Sequence, residues 1–170
     1  MQTQADDDWT AKVHQWWNDL NDNRARRAER AELARAHRLT EIYLTPTFAQ
    51  LRMRLGRKTE RDDQGLALMV GVLAQVRDGH VSDSLGAALA RKTGAGSRSK
   101  MSGLRFRRLL QAEGAEDAFQ HLRRAMALLG RQANIRDLAE VCRDWTHPYR
   151  GASQRKRLAI DYYGIAASED

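Results

Sequence analysis

The residues best suited to chemistry in this sequence are arginines, and five basic side chains fall close together in one stretch. No acidic residue interrupts this stretch before Glu113. A guanidinium group stays charged at neutral pH, and its planar fork of N–H groups can donate two hydrogen bonds to one phosphate. The stretch is therefore typical of a surface that binds a phosphate backbone. Its basic residues are Arg98, Lys100, Arg105, Arg107 and Arg108.

Helical spacing separates the cations of this stretch from its apolar residues. At about 100° per residue, Phe106, Leu109 and Leu110 fall on one side of a helix. Arg107 and Arg108 fall on the other side, and Arg105 lies at the boundary. Such a helix buries one face while it presents guanidinium groups to the outside.

A second predicted helix repeats this separation. Its apolar stripe runs from Phe119 to Met126, with Arg124 opposite and Arg123 at the edge. Arg131 follows just beyond the helix, on the side of Arg124. If the polar faces of the two helices adjoin, their arginines form a basic groove.

A further group of arginines lies nearer the N-terminus. Arg24, Arg26, Arg27 and Arg30 fall in residues 23–58, which carry a net charge of +7. Residues 97–170 carry +5, whereas residues 1–22 and 59–96 carry −4 and −1. The positive charge is thus concentrated in two parts of the chain, as expected of a protein that binds nucleic acid.

Two alternatives to this interpretation remain open. The chain has 24 arginines and only 5 lysines, a ratio that GC-rich coding also produces whatever the function. A charged helix face is, moreover, the ordinary solvent-exposed side of an amphipathic helix. Several basic faces with few acids between them favour nucleic-acid binding over both alternatives.

Catalytic and metal-binding patterns are lacking in the sequence. The five histidines have no metal-ligand spacing, and no phosphate-binding loop or nucleophile motif occurs. Cys142 is the single cysteine and falls on the apolar stripe of a predicted helix, which indicates a buried, inert thiol. We therefore expect a protein that is not an enzyme, with no cofactor, no metal ion and no catalytic residues.

The apolar spacing is helical nearly everywhere and predicts an all-α bundle of about eight to nine helices. The first helix carries the stripe that begins at Trp9, and the acidic run Asp6–Asp8 is expected at its start. The most apolar helix, over residues 63–78, is expected to be central. The other helices are predicted over residues 24–37, 46–55, 82–92, 104–112, 115–129, 134–145 and 153–165.

Glycine and serine in residues 93–103 predict a flexible basic linker between an N-terminal lobe, residues 1–92, and a C-terminal lobe, residues 104–170. The longest apolar run, Leu66 to Ala74, is too short to span a bilayer, which needs about 20 residues. The acidic N-terminus is unlike a secretory signal. We therefore expect a cytoplasmic protein that does not bind membranes.

Several motifs occur in an order and spacing that resemble the small subunit (CasB type) of Cascade, the type I-E CRISPR surveillance complex. The resemblance covers roughly residues 9–163. In chain order, the motifs are Trp16-Trp17, the stretch from Arg24 to Arg27, Pro46-Thr-Phe48-x-x-Leu51, Ser84-Leu85-Gly86-x-x-Leu89, Leu104-Arg-Phe-Arg-Arg-Leu-Leu110, Leu122-Arg-Arg124, Trp145 and Asp161-Tyr-Tyr163.

The resemblance implies a two-lobed helical protein without a catalytic centre, present as a pair of copies. It would contact the backbone and large subunits of the complex and stabilise both the hybrid of CRISPR RNA with target DNA and the displaced DNA strand. Arg27, Arg105, Arg108 and Arg124 match basic positions of the family's motifs. The roles of Asp6–Asp8 and of residues 150–157 stay open. The alternative hypothesis is a free-standing helical DNA-binding regulator.

Overall fold

The computed structural model describes residues 2–56, 60–94 and 98–168, and within them the regular structure is helical with no β-strand. The predicted all-α class is thereby confirmed. Ten α-helices lie in this part of the chain, with a short 3₁₀ turn, Arg24–Arg26, before the second. They are α1 Gln2–Asp22, α2 Arg27–Arg35, α3 Leu39–Tyr43, α4 Pro46–Arg54, α5 Glu60–Leu73, α6 Leu85–Ala90, α7 Gly103–Leu110, α8 Gly114–Leu128, α9 Ile135–Asp144 and α10 Arg150–Ser168.

Helices α1, α3 and α5 differ from the prediction, and the bounds of the other helices shift by up to three residues. Helix α1 begins at Gln2, so Asp6–Asp8 lie beyond the first turn of the helix and not at its start. Helix α3 was not predicted, since its five residues are too few to show a helical period. Helix α5 ends at Leu73 and not at residue 78. The backbone N–H of Arg77 instead donates to the carbonyl oxygen of Arg131 at 2.8 Å.

Helix α5 lies at the centre of the molecule, as its apolar composition predicts. All its residues from Gly65 to Leu73 are buried, and it packs against α8 and α9. Helix α8 comes close at one small residue, since a Cβ on Gly71 would lie 2.6 Å from the Phe119 ring. The tryptophan stripe of α1 closes one side of this core: Trp9, Trp16 and Trp17 are buried.

Several helix starts are capped by side chains. Thr45 accepts a hydrogen bond from the backbone N–H of Phe48, at the start of α4, and Asn134 accepts one from Asp137 at the start of α9. Carboxylates from distant helices cap two more. Glu116 accepts from the backbone N–H of Leu39 at 2.9 Å. Asp137 accepts from that of Leu85 at 2.7 Å. These two bonds fix the starts of α3 and α6 against the C-terminal half.

Helices from both predicted lobes contribute to one hydrophobic core. Helix α5 packs on α8 and α9, and α6 packs on α10. At the second contact a Cβ on Gly86 would lie 2.5 Å from the carbonyl oxygen of Leu158, so the two helices approach almost backbone to backbone. The division at residues 92 and 104 stays a prediction, but any two lobes share this extensive apolar interface.

The segment predicted as a flexible linker is attached to the fold where it approaches α7. The backbone N–H of Lys100 donates to the carbonyl oxygen of Arg91 at 2.9 Å, and that of Met101 donates to the carbonyl oxygen of Leu89 at 3.0 Å. Residues 95–97 of the predicted linker lie outside the described residues. None of the described helices is long and apolar enough to cross a membrane.

Candidate nucleic-acid interface

The clearest site in the described part of the chain is a cleft of about 510 Å³ between α7 and α8, called the arginine cleft below. Helix α7 contributes Arg105 and Arg108, and Met101 precedes it on the same face at helical spacing. Helix α8 contributes its exposed face. The complete lining is Met101, Arg105, Arg108, His121, Arg124, Ala127 and Leu128.

The amphipathic pattern of α7 and α8 explains why these side chains converge. Phe106 and Leu109 of α7 are fully buried, which turns the arginines of the helix outwards. In α8, Phe119 and Leu122 are also fully buried, so Arg124 lies on the exposed side. Residue Gly114, with φ of +70°, makes the turn between the helices, a conformation that suits glycine. The predicted adjacency of the two basic faces is therefore present at the cleft.

The three arginines of the cleft carry uncompensated positive charge. No carboxylate of a described residue lies within salt-bridge distance of Arg105, Arg108 or Arg124, and all three side chains are exposed. The acid next to the lining is Asp117, whose carboxylate lies 3.7 Å from the imidazole of His121. Because unpaired guanidinium groups keep their hydrogen-bond donors free, the cleft is suited to an anionic ligand.

Other arginines of the chain are paired within the protein. Arg52 contacts Asp63 at 2.6 Å, Arg91 contacts Asp83 at 2.9 Å, and Arg136 contacts Glu140 at 3.3 Å. The pKa of Asp83 is lowered chiefly by the hydrogen bond that Arg91 donates to it, and the charge of Lys100 also lowers this pKa. Lys100 therefore lies near the carboxylate of Asp83, which offsets part of the positive charge of Lys100.

The three arginines of α10 also make contacts inside the fold, whereas Lys156 is exposed. Arg150 contacts the buried carboxylate of Asp144 at 2.9 Å, and Arg157 contacts Asp137. Arg155 lies over the ring of Trp145, 4.6 Å from its centroid, and burial lowers the pKa of Arg155. These contacts give residues 150–157 a structural role, which the sequence left open.

Metal and thiol chemistry find no support in the described residues. No group of three or more histidine, cysteine, aspartate or glutamate side chains among them could hold a metal ion. Cys142 is fully buried, and its burial, with a smaller effect of Asp137, raises the pKa of the thiol. The prediction of a buried thiol is thereby confirmed, and a buried, protonated thiol is a poor nucleophile.

Comparison with known proteins identifies the family. The model of the family "CRISPR-associated protein Cse2" matches residues 23–163. The chain belongs to this family. Cse2 is the CasB-type small subunit, so the match confirms the resemblance found in the sequence motifs.

A solved structure with the same fold agrees with this assignment. It is a chain in the crystal structure of E. coli Cascade bound to a PAM-containing double-stranded DNA target. The two chains are 22% identical, the TM-score is 0.67, and the match covers 92% of this chain and 95% of the other. No curated protein sequence matches the chain.

Of the four basic positions that the resemblance in the sequence motifs singled out, three meet at the arginine cleft and one does not. Arg105, Arg108 and Arg124 line it. Arg27 begins α2, where it is exposed. The side chains of its neighbours Arg26 and Arg30 bind other residues of the protein. Arg26 pairs with Glu29 at 2.9 Å and is the largest cause of the lowered pKa of that carboxyl, and Arg30 donates to Asn21 at 2.5 Å.

Of the remaining predicted site residues, some are exposed and others contact neighbouring side chains of the protein. Arg107 and Arg98 are exposed on α7 and before it. Arg123 lies over the Phe119 ring, 5.5 Å from its centroid, and 3.3 Å from the imidazole of His37. Arg131 adopts φ of 63° in the turn after α8 and donates to Gln75 at 3.2 Å. The structure does not bring these four to the cleft.

Sequence reasoning missed the non-basic lining of the cleft. His121, Ala127 and Leu128 share one face of α8 with Arg124, and Met101 lies beneath them as a buried residue. The spacing 121, 124, 128 places these three residues on a common helix face and is readable in the sequence. The apolar character of Met101 and Leu128, however, is more typical of core packing than of a binding site.

Proposed function

We propose that this protein is the non-catalytic small subunit of a CRISPR RNA-guided DNA surveillance complex and binds nucleic acid backbone at the arginine cleft. Family membership supports the role, and the E. coli chain of the same fold belongs to Cascade bound to a DNA target. The observation that carries the assignment to this surface is the convergence of Arg105, Arg108 and Arg124, which have no acidic partner among the residues that the structure describes.

Backbone binding suits a complex in which base pairing reads the sequence. In RNA-guided recognition the guide pairs with the target strand, and the protein holds the hybrid and the displaced strand through their phosphates. Guanidinium groups on a helical surface meet this requirement without any code for reading base edges. The ligands are the CRISPR RNA and both strands of the target DNA.

The proposed partners follow from the same assignment. The protein contacts the backbone and large subunits of the complex and a second copy of itself, and it acts in the cytoplasm in antiviral defence. It has no cofactor and leaves DNA cleavage to another protein. The chemistry of the cleft supports this division, since its lining offers cations for binding and lacks a carboxylate among the residues that form it.

The decisive experiment compares two charge variants in the complex assembled with CRISPR RNA. One variant changes Arg105, Arg108 and Arg124 to Ala. The matched control changes Arg52, Arg91 and Arg136 to Ala, which removes the same charge from arginines already paired with acids. We expect the cleft variant to weaken binding of target DNA by about tenfold or more, and the control by much less.

Three results would contradict the proposal. Equal loss in both variants would show that net charge and not the cleft governs binding. Unchanged binding by the cleft variant would remove the cleft from the interface. Tight preference of the isolated protein for one duplex sequence would favour the regulator instead, because backbone contacts alone do not distinguish sequences.

A further inference from the structure

The arginine cleft contains a feature that backbone binding does not use, namely an apolar floor. Met101, Ala127 and Leu128, together called the apolar floor, line the cleft beside the arginines. A phosphate prefers water or cations to an apolar surface, because desolvation of a charge on carbon is unfavourable. Arginines on a convex surface would bind phosphates equally well. A ligand that fits the cavity should therefore have an uncharged part as well as a charged one.

The size of the cleft narrows the class of occupant. About 510 Å³ lies within the range of roughly 300–1,000 Å³ that small-molecule sites span. It has room for a nucleobase and its sugar. His121 lies among the lining residues with its side chain partly exposed, and an imidazole can both donate and accept hydrogen bonds. The lining thus offers carbon for the face of a base and one polar group for its edge.

We propose that the arginine cleft receives one unstacked nucleobase of a single strand, with the phosphates on either side held by Arg105, Arg108 and Arg124. This inference rests on the proposed function and extends it from backbone binding to capture of a base. A duplex keeps its bases stacked and paired, so the site favours strands that are already separated. The pattern of cations around an apolar floor matches the amphipathic character of a nucleotide.

The test measures binding of two short oligonucleotides to the full chain at fixed salt. One is a pentamer of thymidine, and the other has the same phosphates but abasic sugars throughout. Both carry the same charge, so backbone binding predicts equal affinity. Capture of a base predicts about tenfold tighter binding of the pentamer with bases, because only that strand fills the apolar floor.

A cleft-filling variant connects the preference to this site. Ala127 is an exposed alanine of α8 whose side chain lines the cleft, so Ala127→Leu narrows it without disturbing the core. Ala49→Leu on α4 is the matched control, at an exposed alanine outside the cleft. We expect Ala127→Leu to lose the preference for bases, so that it binds the two oligonucleotides with equal affinity. Ala49→Leu should behave as the parent protein.

Each outcome is informative. Equal affinity of the parent protein for both oligonucleotides overturns capture of a base but leaves backbone binding intact. A preference that persists in Ala127→Leu overturns the assignment to this cleft. No binding of either strand contradicts the proposed function itself. As a second measurement, a strand with 5-iodouracil should crosslink on irradiation to His121 or Met101, and crosslinks confined to residues outside the lining overturn the proposal.

Discussion

The hydroxyl of Tyr162 donates a 2.6 Å hydrogen bond to the carbonyl oxygen of Met101, and through it α10 holds one of the residues that line the arginine cleft. The Tyr162 ring also stacks on Phe106 of α7, with ring centroids 3.9 Å apart. The last helix thus fixes both the start of α7 and its buried face. Arg105 and Arg108 lie on the opposite face, so their position depends on this contact.

Tyr162→Phe should reduce the free energy of unfolding by about 1 kcal/mol. The change removes one buried hydrogen bond and keeps the aromatic stack. The cost stays small because Ser99 also donates to the Met101 carbonyl, at 2.7 Å. Urea denaturation measures the difference, with Tyr163→Phe on the exposed side as control. A loss as large in the control would show that the bond to Met101 is not the cause.

The salt dependence of single-strand binding should fall when the cleft arginines are replaced. Each phosphate contact contributes about 0.7 to the slope of log affinity against log salt. Changing Arg105, Arg108 and Arg124 together to Ala should therefore lower the slope by about 2. Titrations of the isolated protein at several salt concentrations give the slope. An unchanged slope with weaker binding would mean that the three residues do not contact phosphates.

Replacement of Gly86 by alanine should destabilise the protein by about 2 kcal/mol or more. The added Cβ would lie 2.5 Å from the carbonyl oxygen of Leu158 and 3.2 Å from the backbone nitrogen of Tyr162, and neither is the end of a flexible side chain. Helices α6 and α10 would have to separate. Gly103→Ala is the control, because a Cβ there meets nothing within 4 Å. Thermal unfolding of the two variants should differ clearly, and equal stability would contradict the close packing.

The buried carboxylate of Asp144 should make stability depend on pH in the acid range. Burial disfavours its charge, but hydrogen bonds and charge from Arg143 and Arg150 outweigh burial and hold the pKa of Asp144 below its ordinary value. A lowered folded-state pKa stabilises the fold above the unfolded-state pKa of about 3.9, and this contribution is lost as pH falls towards the folded-state value.

Asp144→Asn tests this dependence. At pH 7 we expect a loss of roughly 3 kcal/mol, because two arginines lose their charged partner. The difference between the two proteins should stay constant down to about pH 5 and shrink below about pH 4. Urea denaturation across this range measures it, with Glu140→Gln as the control for an exposed pair. A difference that grows on acidification would mean that the pKa is raised and not lowered.

Much of the fold follows from periodicity in the sequence, whereas the composition of the site does not. The stripes of α1, α5 and α8 predicted buried helices because apolar spacing is a local property. Helix α3 has five residues and starts where Glu116, far along the chain, accepts its first N–H. A local pattern cannot contain that information.

The same distinction explains the predicted arginines. The helical wheel shows which guanidinium groups face outwards. It predicts Arg108 and Arg124 on exposed faces and Arg105 at the boundary, and in the structure all three are exposed. It does not show which outward guanidinium group finds a hydrogen-bond partner within the protein. The partner of Arg26 is three residues away, but Arg30 donates to Asn21 on another helix. Only the packing of α1 against α2 decides that Arg30 is held in place.

The carboxylates of Glu116 and Asp137 affect where the protein can bind anions, because they lie at the starts of α3 and α6. A free helix start attracts phosphate through its unpaired N–H groups and its dipole. At α3 and α6 the protein's own acids accept the first N–H group, at Leu39 and Leu85, so that donor is not free for an external anion. In the proposed function, a strand is therefore held by arginine side chains and not by these two N–H groups.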